Sequence, residues 1–268
     1  MLKRRKNRNL PKISIVIPSF NKKDYIGETL QSIVDQKYPN LEVLIQDGGS
    51  TDGTLDIIKE YTKKHPKIFY WESKKDKGQV DAINKGLKKV SGDIATYINA
   101  DDVYEKEALL KVGEYFANNP KTLWLAGKGR VINSEGKEIS KIVTFYKNTL
   151  LAINHYSLLL IVNYLMQPSV FLSEDVYKKY GPFTGTKNYV MEYDLWLKIA
   201  AKQVPSVLAD TLSSFRIAGD NISSTQFNSL LVTDLNLVKK YTKNPIILLL
   251  HKINNLGRIV NILLMKRG

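Results

Sequence analysis

The stretch Tyr97-Ile-Asn-Ala-Asp-Asp-Val-Tyr104 carries the first indication of both the fold and the chemistry of this chain. It continues an apolar run that predicts a β-strand, and the run ends abruptly in two adjacent carboxylates, Asp101 and Asp102. Carboxylates at a strand end often hold Mg²⁺ or a similar hard cation together with substrate phosphates, which favours a diphosphate substrate. The alternative is an exposed turn that caps a helix, and this pair alone favours neither interpretation.

The composition is that of a globular protein with a strong positive charge. Of its 268 residues, 43% are hydrophobic and 25% are charged, which suits one domain or two closely joined ones. A net charge of +14 predicts attraction to an anionic partner, such as nucleic acid, acidic lipid or a nucleotide-linked substrate. The absence of cysteine excludes disulfides, thiolate metal sites and a cysteine nucleophile.

Short apolar runs alternate with segments of helical period from Ile13 to Ile98, which is typical of parallel strands joined by crossover helices. The predicted strands are 13–17, 41–46, 68–71 and 94–98, and the predicted helices between them are 25–36, 54–62 and 79–89. Ligands of such sheets bind beyond the carboxyl ends of the strands. The polar residues that follow these strands should therefore meet in one crevice.

The residues at these strand ends have the chemistry of a nucleotide pocket. Pro18-Ser-Phe-Asn21 follows the first strand and offers backbone groups and an aromatic face to a base. Asp47 follows the second, and we favour ligand binding for it over the alternative of organising its own turn. Lys77, before Gly78, could neutralise diphosphate charge, although a lysine cluster is more often a solvated loop. No Gly-x-Gly-x-x-Gly follows the first strand and no P-loop motif occurs, so those nucleotide-binding classes lose their main support.

Four ordered motifs resemble the family 2 inverting glycosyltransferases, which have the GT-A fold. These motifs are Ser14–Asn21, Asp47–Thr54, Lys77–Gly86 and Ser91–Asp102, and the resemblance extends over roughly 13–216. It implies an α/β fold with a mostly parallel central sheet flanked by helices and a nucleotide-diphospho-sugar donor. We expect a basic tail (1–11), a catalytic domain (12–220) and a basic amphipathic helical extension (221–268). Within the catalytic domain, 12–103 should bind the donor and 104–220 the acceptor.

The same resemblance implies roles for individual residues. The implied donor-binding residues are Pro18, Ser19, Phe20, Asn21, Asp47, Lys77, Gly78, Asn99, Asp101 and Arg216. Asn99-Ala-Asp101 stands at the family's Asp-x-Asp motif, so Asp101 is the expected ligand of Mg²⁺ or Mn²⁺ and Asp102 is an additional or alternate one. Because Asn99 replaces a carboxylate, the affinity for metal should depend on substrate phosphates.

A second block, Tyr189-Val-Met-Glu-Tyr-Asp-Leu-Trp-Leu-Lys198, is implied to carry the catalytic base. Glu192 stands where the family usually has aspartate, so we assign the base to Glu192 and keep Asp194 as the alternative. Both acids also lie in the first turn of a predicted helix, where they would favour the helix dipole without any catalytic role. The implied chemistry is direct displacement at the anomeric carbon with inversion.

The pattern beyond Asp102 is mixed. We expect strands at 123–126 and 129–132, a hairpin turn at 133–136 and a further strand from 139 to 145. The apolar segment 150–165 predicts one buried or interfacial helix, since it is short for a membrane span. His155 within it is a weak catalytic candidate, because a lone histidine beside apolar residues is usually packed and hydrogen-bonded.

The C-terminal segment from Asn244 to Gly268 mixes long apolar stretches with basic residues. It can lie in a bilayer interface, or pack on the catalytic domain or a second subunit, and we favour membrane contact because it suits a lipid-linked acceptor. The start of the chain lacks the apolar core of a secretory signal, so we expect a cytoplasmic protein, peripheral at the inner face of the membrane.

The predicted activity is transfer of a sugar to a saccharide or lipid-linked saccharide in bacterial surface polysaccharide or glycolipid assembly. A noncatalytic sugar-nucleotide-binding or scaffold protein is the alternative. A nucleic-acid-binding protein is less favoured, because the lysines are scattered and no recognised groove-reading module appears.

Overall fold

A computed structural model describes residues 10–183, 190–218 and 227–265. The strands are β1 (Ile13–Ser19), β2 (Leu41–Asp47), β3 (Phe69–Ser73), β4 (Ile94–Tyr97), β5 (Val103–Tyr104), β6 (Trp124–Ile132), β7 (Glu138–Ile139), β8 (Val170–Ser173) and β9 (Ser206–Arg216). The helices are α1 (Lys23–Val34), α2 (Thr54–Lys64), α3 (Gln79–Leu87), α4 (Ala108–Asn118), α5 (Lys141–Ile153), α6 (Tyr156–Ile161), α7 (Glu174–Tyr180), α8 (Met191–Ala200), α9 (Phe227–Tyr241) and α10 (Pro245–Met265). The expected basic tail before residue 10 lies outside the described residues.

The strands form one mixed sheet in the order β3-β2-β1-β4-β8-β6-β9-β5, with β7 paired to β6. The predicted α/β architecture is confirmed, and its first four strands are parallel as expected. In the second half β8 runs antiparallel to both of its neighbours, whereas β6 and β9 are parallel to each other. The antiparallel insertion of β8 joins the two halves into a continuous sheet.

Burial on both faces explains the continuous apolar runs of the central strands. Every residue of β1 and β2 is buried, as expected for strands that helices cover on both sides. One helix lies so close that a Cβ at Gly86 of α3 would stand 2.3 Å from Cγ1 of Val16. The register pairs Ser19 of β1 with Asp47 of β2, and Asp47 with Ser73 of β3. Three strands therefore end at the same level and present their following loops to one edge.

Two predictions for the middle of the chain are wrong. The expected strand from 139 to 145 pairs only at Glu138–Ile139, and α5 begins at Lys141 after Ser140 reverses the chain with a φ of +55°. Its apolar residues Ile142 and Phe145 recur at a helical spacing of three and are exposed. The two strands expected at 123–126 and 129–132 are a single strand, β6, with a register shift around Lys128.

The expected single helix from 150 to 165 is two elements, because the chain turns at Asn154 with a φ of +49°. His155 is exposed and caps α6, where its Nδ1 accepts a hydrogen bond from the Ser157 N–H at 3.2 Å. The histidine therefore has a structural task, although it is not packed in the interior as expected.

Candidate active site

Hydrogen bonds join the loops that follow β1 and β2 into one unit. The N–H of Gly48 donates to the Ser19 carbonyl at 2.8 Å. Asn21 has a φ of +48°, and its backbone N–H donates to Ser50 Oγ while its side-chain oxygen accepts from the Thr51 N–H. Asn21, which the sequence predicts to bind the donor, therefore links the two loops through its backbone and its side chain.

The carboxylate of Asp47 organises the loop in which it lies. Its Oδ2 accepts hydrogen bonds from the N–H groups of Gly49 and Ser50 and from Ser73 Oγ, and its Oδ1 accepts from Ser50 Oγ at 2.5 Å. The residue is 2% exposed. These contacts fix the turn geometry that the alternative interpretation described, and they also hold the carboxylate at the wall of a cavity.

A cavity of about 280 Å³ opens beside the ends of β2 and β3. Its lining residues are Gln46, Asp47, Glu72, Lys74, Asp76, Ala82, Lys85 and Lys89. Asp76 lies next to the β2 loop, since a Cβ at Gly48 would stand 3.0 Å from its Oδ2. Lys74 lines the cavity, whereas the predicted Lys77 is exposed and does not. Sequence reasoning missed Lys74 and Asp76, and the signal of Asp76 was its position as the one acid within the lysine run.

The remaining predicted residues of the first loop lie at the rim. Pro18 continues β1 opposite Gln46 and is buried, whereas the Phe20 ring is 60% exposed. Ser19 is 4% exposed, and its Oγ has no hydrogen-bond partner among the described residues. A buried hydroxyl without a partner is costly, so a bound ligand would relieve this deficit. Gly78 opens α3 with a φ of +103°, a conformation that favours glycine.

Asp101 follows β4 and is 7% exposed. Its Oδ2 forms an ion pair with Lys22 Nζ at 3.0 Å. Asn99, two residues earlier, accepts a hydrogen bond from Gln79 Nε2 of α3 at 2.6 Å and donates to Asp102 Oδ2 at 3.1 Å. Lys22 was not predicted, although it directly follows the predicted Asn21. The ammonium of Lys22 supplies a positive charge where the sequence predicts a metal ion.

Asp102 points into the protein and is fully buried. Its Oδ1 accepts from the backbone N–H of Arg216 at 2.8 Å, and its Oδ2 accepts from the amide of Asn99. Burial raises the pKa of the Asp102 carboxyl well above its usual range, and the charge of Asp101 adds to this shift. Because both oxygens are engaged inside the fold, the geometry speaks against Asp102 as a metal ligand and for it as an anchor between β4 and β9.

Arg216 is a second anchor and not an open phosphate contact. The side chain is fully buried, and its Nε donates to the Asp101 carbonyl at 2.8 Å. One terminal nitrogen donates to the carbonyls of Asn133 and Ser134, and the other pairs with Glu28 Oε2 at 2.5 Å. The expected contact to a diphosphate therefore requires correction: this guanidinium ties β9 to the loop that carries Asp101.

Glu192, in the first turn of α8, contacts the last residue of β4. The Tyr97 hydroxyl, at the last residue of β4, donates to Glu192 Oε1 at 2.9 Å. Burial raises the pKa of the Glu192 carboxyl, while the Tyr97 hydrogen bond and the charge of Lys147 oppose the rise. Burial also lowers the pKa of Lys147 to about 8, and its Nζ donates to the Leu165 carbonyl at 3.1 Å. The hydrogen bond from the Tyr97 hydroxyl therefore orients the Glu192 carboxylate and favours its ionised form.

Asp194 faces the C-terminal helices instead. Its Oδ1 accepts from the Tyr241 hydroxyl at 2.6 Å, and its Oδ2 pairs with Lys198 at 2.5 Å. These contacts brace α8 against the end of α9. Of the two acids in the first turn of α8, Glu192 contacts Tyr97 of β4, whereas Asp194 contacts Tyr241 of α9 and Lys198 of its own helix.

Across the described ranges, no three side chains of histidine, aspartate or glutamate converge on a point that could hold a metal ion. A hard cation can still bind one or two carboxylates when substrate phosphates and water complete its shell. Asp101 fits that arrangement better than Asp102, since its carboxylate contacts the partly exposed Lys22, whereas both oxygens of Asp102 accept hydrogen bonds inside the fold.

The family model described as glycosyl transferase family 2 matches residues 14–172, more than half of the chain. The chain belongs to this family. The matched region runs from β1 through β8 and thus includes the strand ends and Asp101, while the segment around Glu192 follows it.

Curated relatives of this family 2 chain match it in part. It is 36% identical over 105 residues to the putative teichuronic acid biosynthesis glycosyltransferase TuaG of Bacillus subtilis, covering 39% of this chain and 42% of that protein. It is 40% identical over 143 residues to a Methanococcus voltae dolichyl N-acetyl-alpha-D-glucosaminyl phosphate 3-beta-D-2,3-diacetamido-2,3-dideoxy-beta-D-glucuronosyltransferase, covering 49% and 43%. The chain thus spans less than half the length of these two relatives.

A solved structure confirms the fold. The mannosyltransferase PcManGT from Pyrobaculum calidifontis, in complex with GDP-Man and Mn²⁺, superposes with a TM-score of 0.69. The superposition covers 89% of this chain and 67% of that one at 19% sequence identity. At this identity the likeness establishes the GT-A architecture alone.

The structural role of Arg216 predicts a large loss of stability when the side chain is removed. Arg216→Met should lower the free energy of unfolding by about 1–3 kcal/mol, because it leaves the buried Asp101 carbonyl without its donor, while the charged partner Glu28 is exposed. Arg130→Met is the matched control: its guanidinium is partly exposed beside Glu105, so the loss should be about 1 kcal/mol or less. Urea unfolding followed by circular dichroism measures both. An unchanged unfolding free energy in Arg216→Met would contradict the anchoring role.

Proposed function

We propose that this chain is an inverting glycosyltransferase that moves a sugar from a nucleotide-diphospho-sugar donor to a hydroxyl acceptor. The observation that carries the proposal is that β4 connects two carboxylates: the segment after it carries Asp101, and the hydroxyl of its last residue, Tyr97, donates to Glu192. One carboxylate can serve the departing diphosphate while the other serves the attacking hydroxyl. Family membership supports the reaction class.

The donor is proposed to lie at the ends of β1 and β2 and beside the segment that follows β4. The cavity wall formed by Asp47 and Asp76 suits the hydrogen-bonding edge of a base, and the exposed Phe20 ring offers a stacking face. Ser19 Oγ would gain its missing partner from the nucleotide. Lys22, beside Asp101, would oppose the charge of the diphosphate.

A divalent ion, Mg²⁺ or Mn²⁺, is proposed to bind Asp101 together with the donor phosphates. It would supply electrostatic stabilisation to the leaving nucleoside diphosphate. The Lys22 ammonium pairs with this carboxylate, so it would turn from Asp101 to the donor phosphates when the ion binds. The Mn²⁺ bound with GDP-Man in the PcManGT complex belongs to that protein and is compatible with a divalent ion here.

Glu192 is proposed as the general base. Its carboxylate would take the proton from the acceptor hydroxyl while the new carbon–oxygen bond forms and the bond to the diphosphate breaks on the opposite face. Base catalysis contributes roughly 10²–10⁴-fold, so positioning and charge stabilisation must supply the rest. Burial raises the pKa of Glu192 above its usual range, which makes its carboxylate a stronger base, and the Tyr97 hydroxyl and the charge of Lys147 limit that rise.

The acceptor is proposed to be a saccharide or lipid-linked saccharide of a bacterial surface polysaccharide. The name of the Bacillus subtilis relative, a putative teichuronic acid biosynthesis glycosyltransferase, motivates this class. A noncatalytic sugar-nucleotide-binding protein would keep the donor pocket without needing an oriented base. The link between Tyr97 and Glu192 favours the enzyme.

Replacing the base tests the proposed reaction directly. In a panel of sugar nucleotides assayed for nucleoside diphosphate release with acceptor, Glu192→Gln should lower kcat by about 10²–10⁴-fold. Nucleotide affinity, measured by calorimetry, should stay unchanged because Glu192 does not line the cavity proposed for the nucleotide. Asp194→Asn is the matched control and should retain most of the kcat. Equal activity of wild type and Glu192→Gln would sink the assignment, and a collapse of kcat in Asp194→Asn alone would transfer the role to Asp194.

The metal proposal predicts that nucleoside diphosphate binding depends on Mn²⁺ through one side chain. Calorimetric titration of nucleoside diphosphate should show tighter binding with Mn²⁺ than with EDTA, and Asp101→Asn should remove that difference. Asp56→Asn, which removes an equally charged but exposed carboxylate on α2, should behave like wild type. If Mn²⁺ strengthens binding equally in both variants, Asp101 is not its ligand.

A further inference from the structure

One face of α10 exposes a continuous apolar stripe. The side chains of this stripe recur at helical spacing and are each 41–67% exposed: Ile246, Leu249, Leu250, Ile253 and Leu256. We call this set the α10 stripe. An apolar surface of this size on a single helix marks an interaction site, since soluble surfaces usually scatter such residues.

The opposite face of α10 is firmly packed, so the stripe has a fixed orientation. His251 is 1% exposed, and its Nδ1 lies 3.0 Å from the Leu160 carbonyl at the end of α6. Arg258 Nη1 donates to the buried Asp234 of α9 at 2.9 Å. Polar contacts on one side and apolar exposure on the other make α10 an amphipathic helix held on the protein surface.

The charge around the stripe is strongly positive. Between residues 227 and 265, Asp234 is the sole acidic residue and it is buried, whereas four lysines of this segment are exposed. They are Lys239, Lys240, Lys243 and Lys252. The first three lie at the junction of α9 and α10, next to Ile246 where the stripe begins. Apolar residues bordered by lysines are the pattern of helices that lie in the headgroup region of anionic membranes.

We propose that the α10 stripe docks on an anionic lipid bilayer with the helix parallel to the membrane plane. Among the described residues, no helix combines the length and hydropathy needed to cross a bilayer. A second copy of this chain is a poorer occupant, because the acid of this segment, Asp234, is buried and so offers no charge to the exposed lysines of the other copy. An acidic lipid surface satisfies the apolar and the basic parts at once.

The stripe belongs to the same group of helices as the proposed base. Tyr193 of α8 donates through its hydroxyl to the Leu159 carbonyl of α6 at 2.5 Å, one residue from the contact of His251. Tyr241, at the end of α9, bonds Asp194 of α8. Membrane docking would therefore hold the Glu192 side of the molecule near lipid-borne acceptors, although docking itself does not require transfer activity.

Sedimentation of the full chain with vesicles tests the proposal. Wild type should partition onto phosphatidylcholine vesicles that contain phosphatidylglycerol, bind much less to phosphatidylcholine alone, and dissociate as salt is raised. Leu249→Asn/Ile253→Asn should abolish partitioning. Lys239→Gln/Lys243→Gln should weaken it by about fivefold per lysine. Lys63→Gln/Lys67→Gln, which removes two exposed lysines at α2 and after it, is the matched control and should bind like wild type.

The outcomes separate this proposal from others. Asp101→Asn should bind vesicles normally, so failure of the transfer reaction would leave docking intact. Absence of wild-type binding to anionic vesicles, or unchanged binding by Leu249→Asn/Ile253→Asn, would overturn the proposal. A dimer in lipid-free solution that this double substitution dissociates would identify a second copy as the occupant and equally overturn it. Circular dichroism of each variant confirms that the exposed substitutions preserve the fold.

Discussion

The hydrogen bond between the Arg216 backbone N–H and the buried carboxylate of Asp102 is the constraint on which the geometry of the site depends. It joins the end of β9, from the second half of the sheet, to the segment that follows β4 in the first half. The Arg216 side chain adds a bond to the Asp101 carbonyl and an ion pair to Glu28 of α1. Because Asp102 and Arg216 are both fully buried, removing either side chain leaves a buried polar group without its hydrogen-bond partner.

This anchoring divides the work between adjacent carboxylates. Asp102 turns inward and becomes structural, and Asp101 is left with an ion pair to the partly exposed Lys22. The same division recurs on α8, where Asp194 braces the C-terminal helices and Glu192 contacts Tyr97. In both pairs one acid fixes the backbone so that its neighbour is held in a defined position. Such preorganisation is what a displacement reaction needs from its protein groups.

The sequence predicted the first half of the fold well, because alternating buried strands and amphipathic helices leave strong periodic signals. It failed at 139–145, where an apolar run with short strand-like character is a helix with an outward apolar face. A local apolar pattern cannot distinguish a strand from a helix here, because strand pairing depends on the hairpin. That hairpin pairs Ile139 with Val131 of β6, and the pairing ends there.

The candidate site was predictable in location but not in the role of each residue. Strand-end motifs led to Asp47 and Asp101, and the resemblance of the block around Glu192 led to the proposed base, whereas Arg216 was expected at the diphosphate and is buried. Its partners are 83 and 188 residues away in sequence, at Asn133 and Glu28, so no local pattern could reveal them. Lys22 and Asp76 were missed for a similar reason: their proximity to Asp101 and Gly48 arises only when the loops meet.

The central claim is that Asp101 organises the departing half of an activated sugar. A crystal structure with Mn²⁺ and a nucleoside diphosphate, with the metal located by anomalous scattering, tests it most directly. The account predicts an ion bound at about 2.0–2.2 Å by a carboxylate oxygen of Asp101 and by phosphate oxygens, in the crevice at the ends of β1, β2 and β4. A diphosphate bound elsewhere, or in this crevice with Asp101 contacting neither metal nor phosphate, would contradict it.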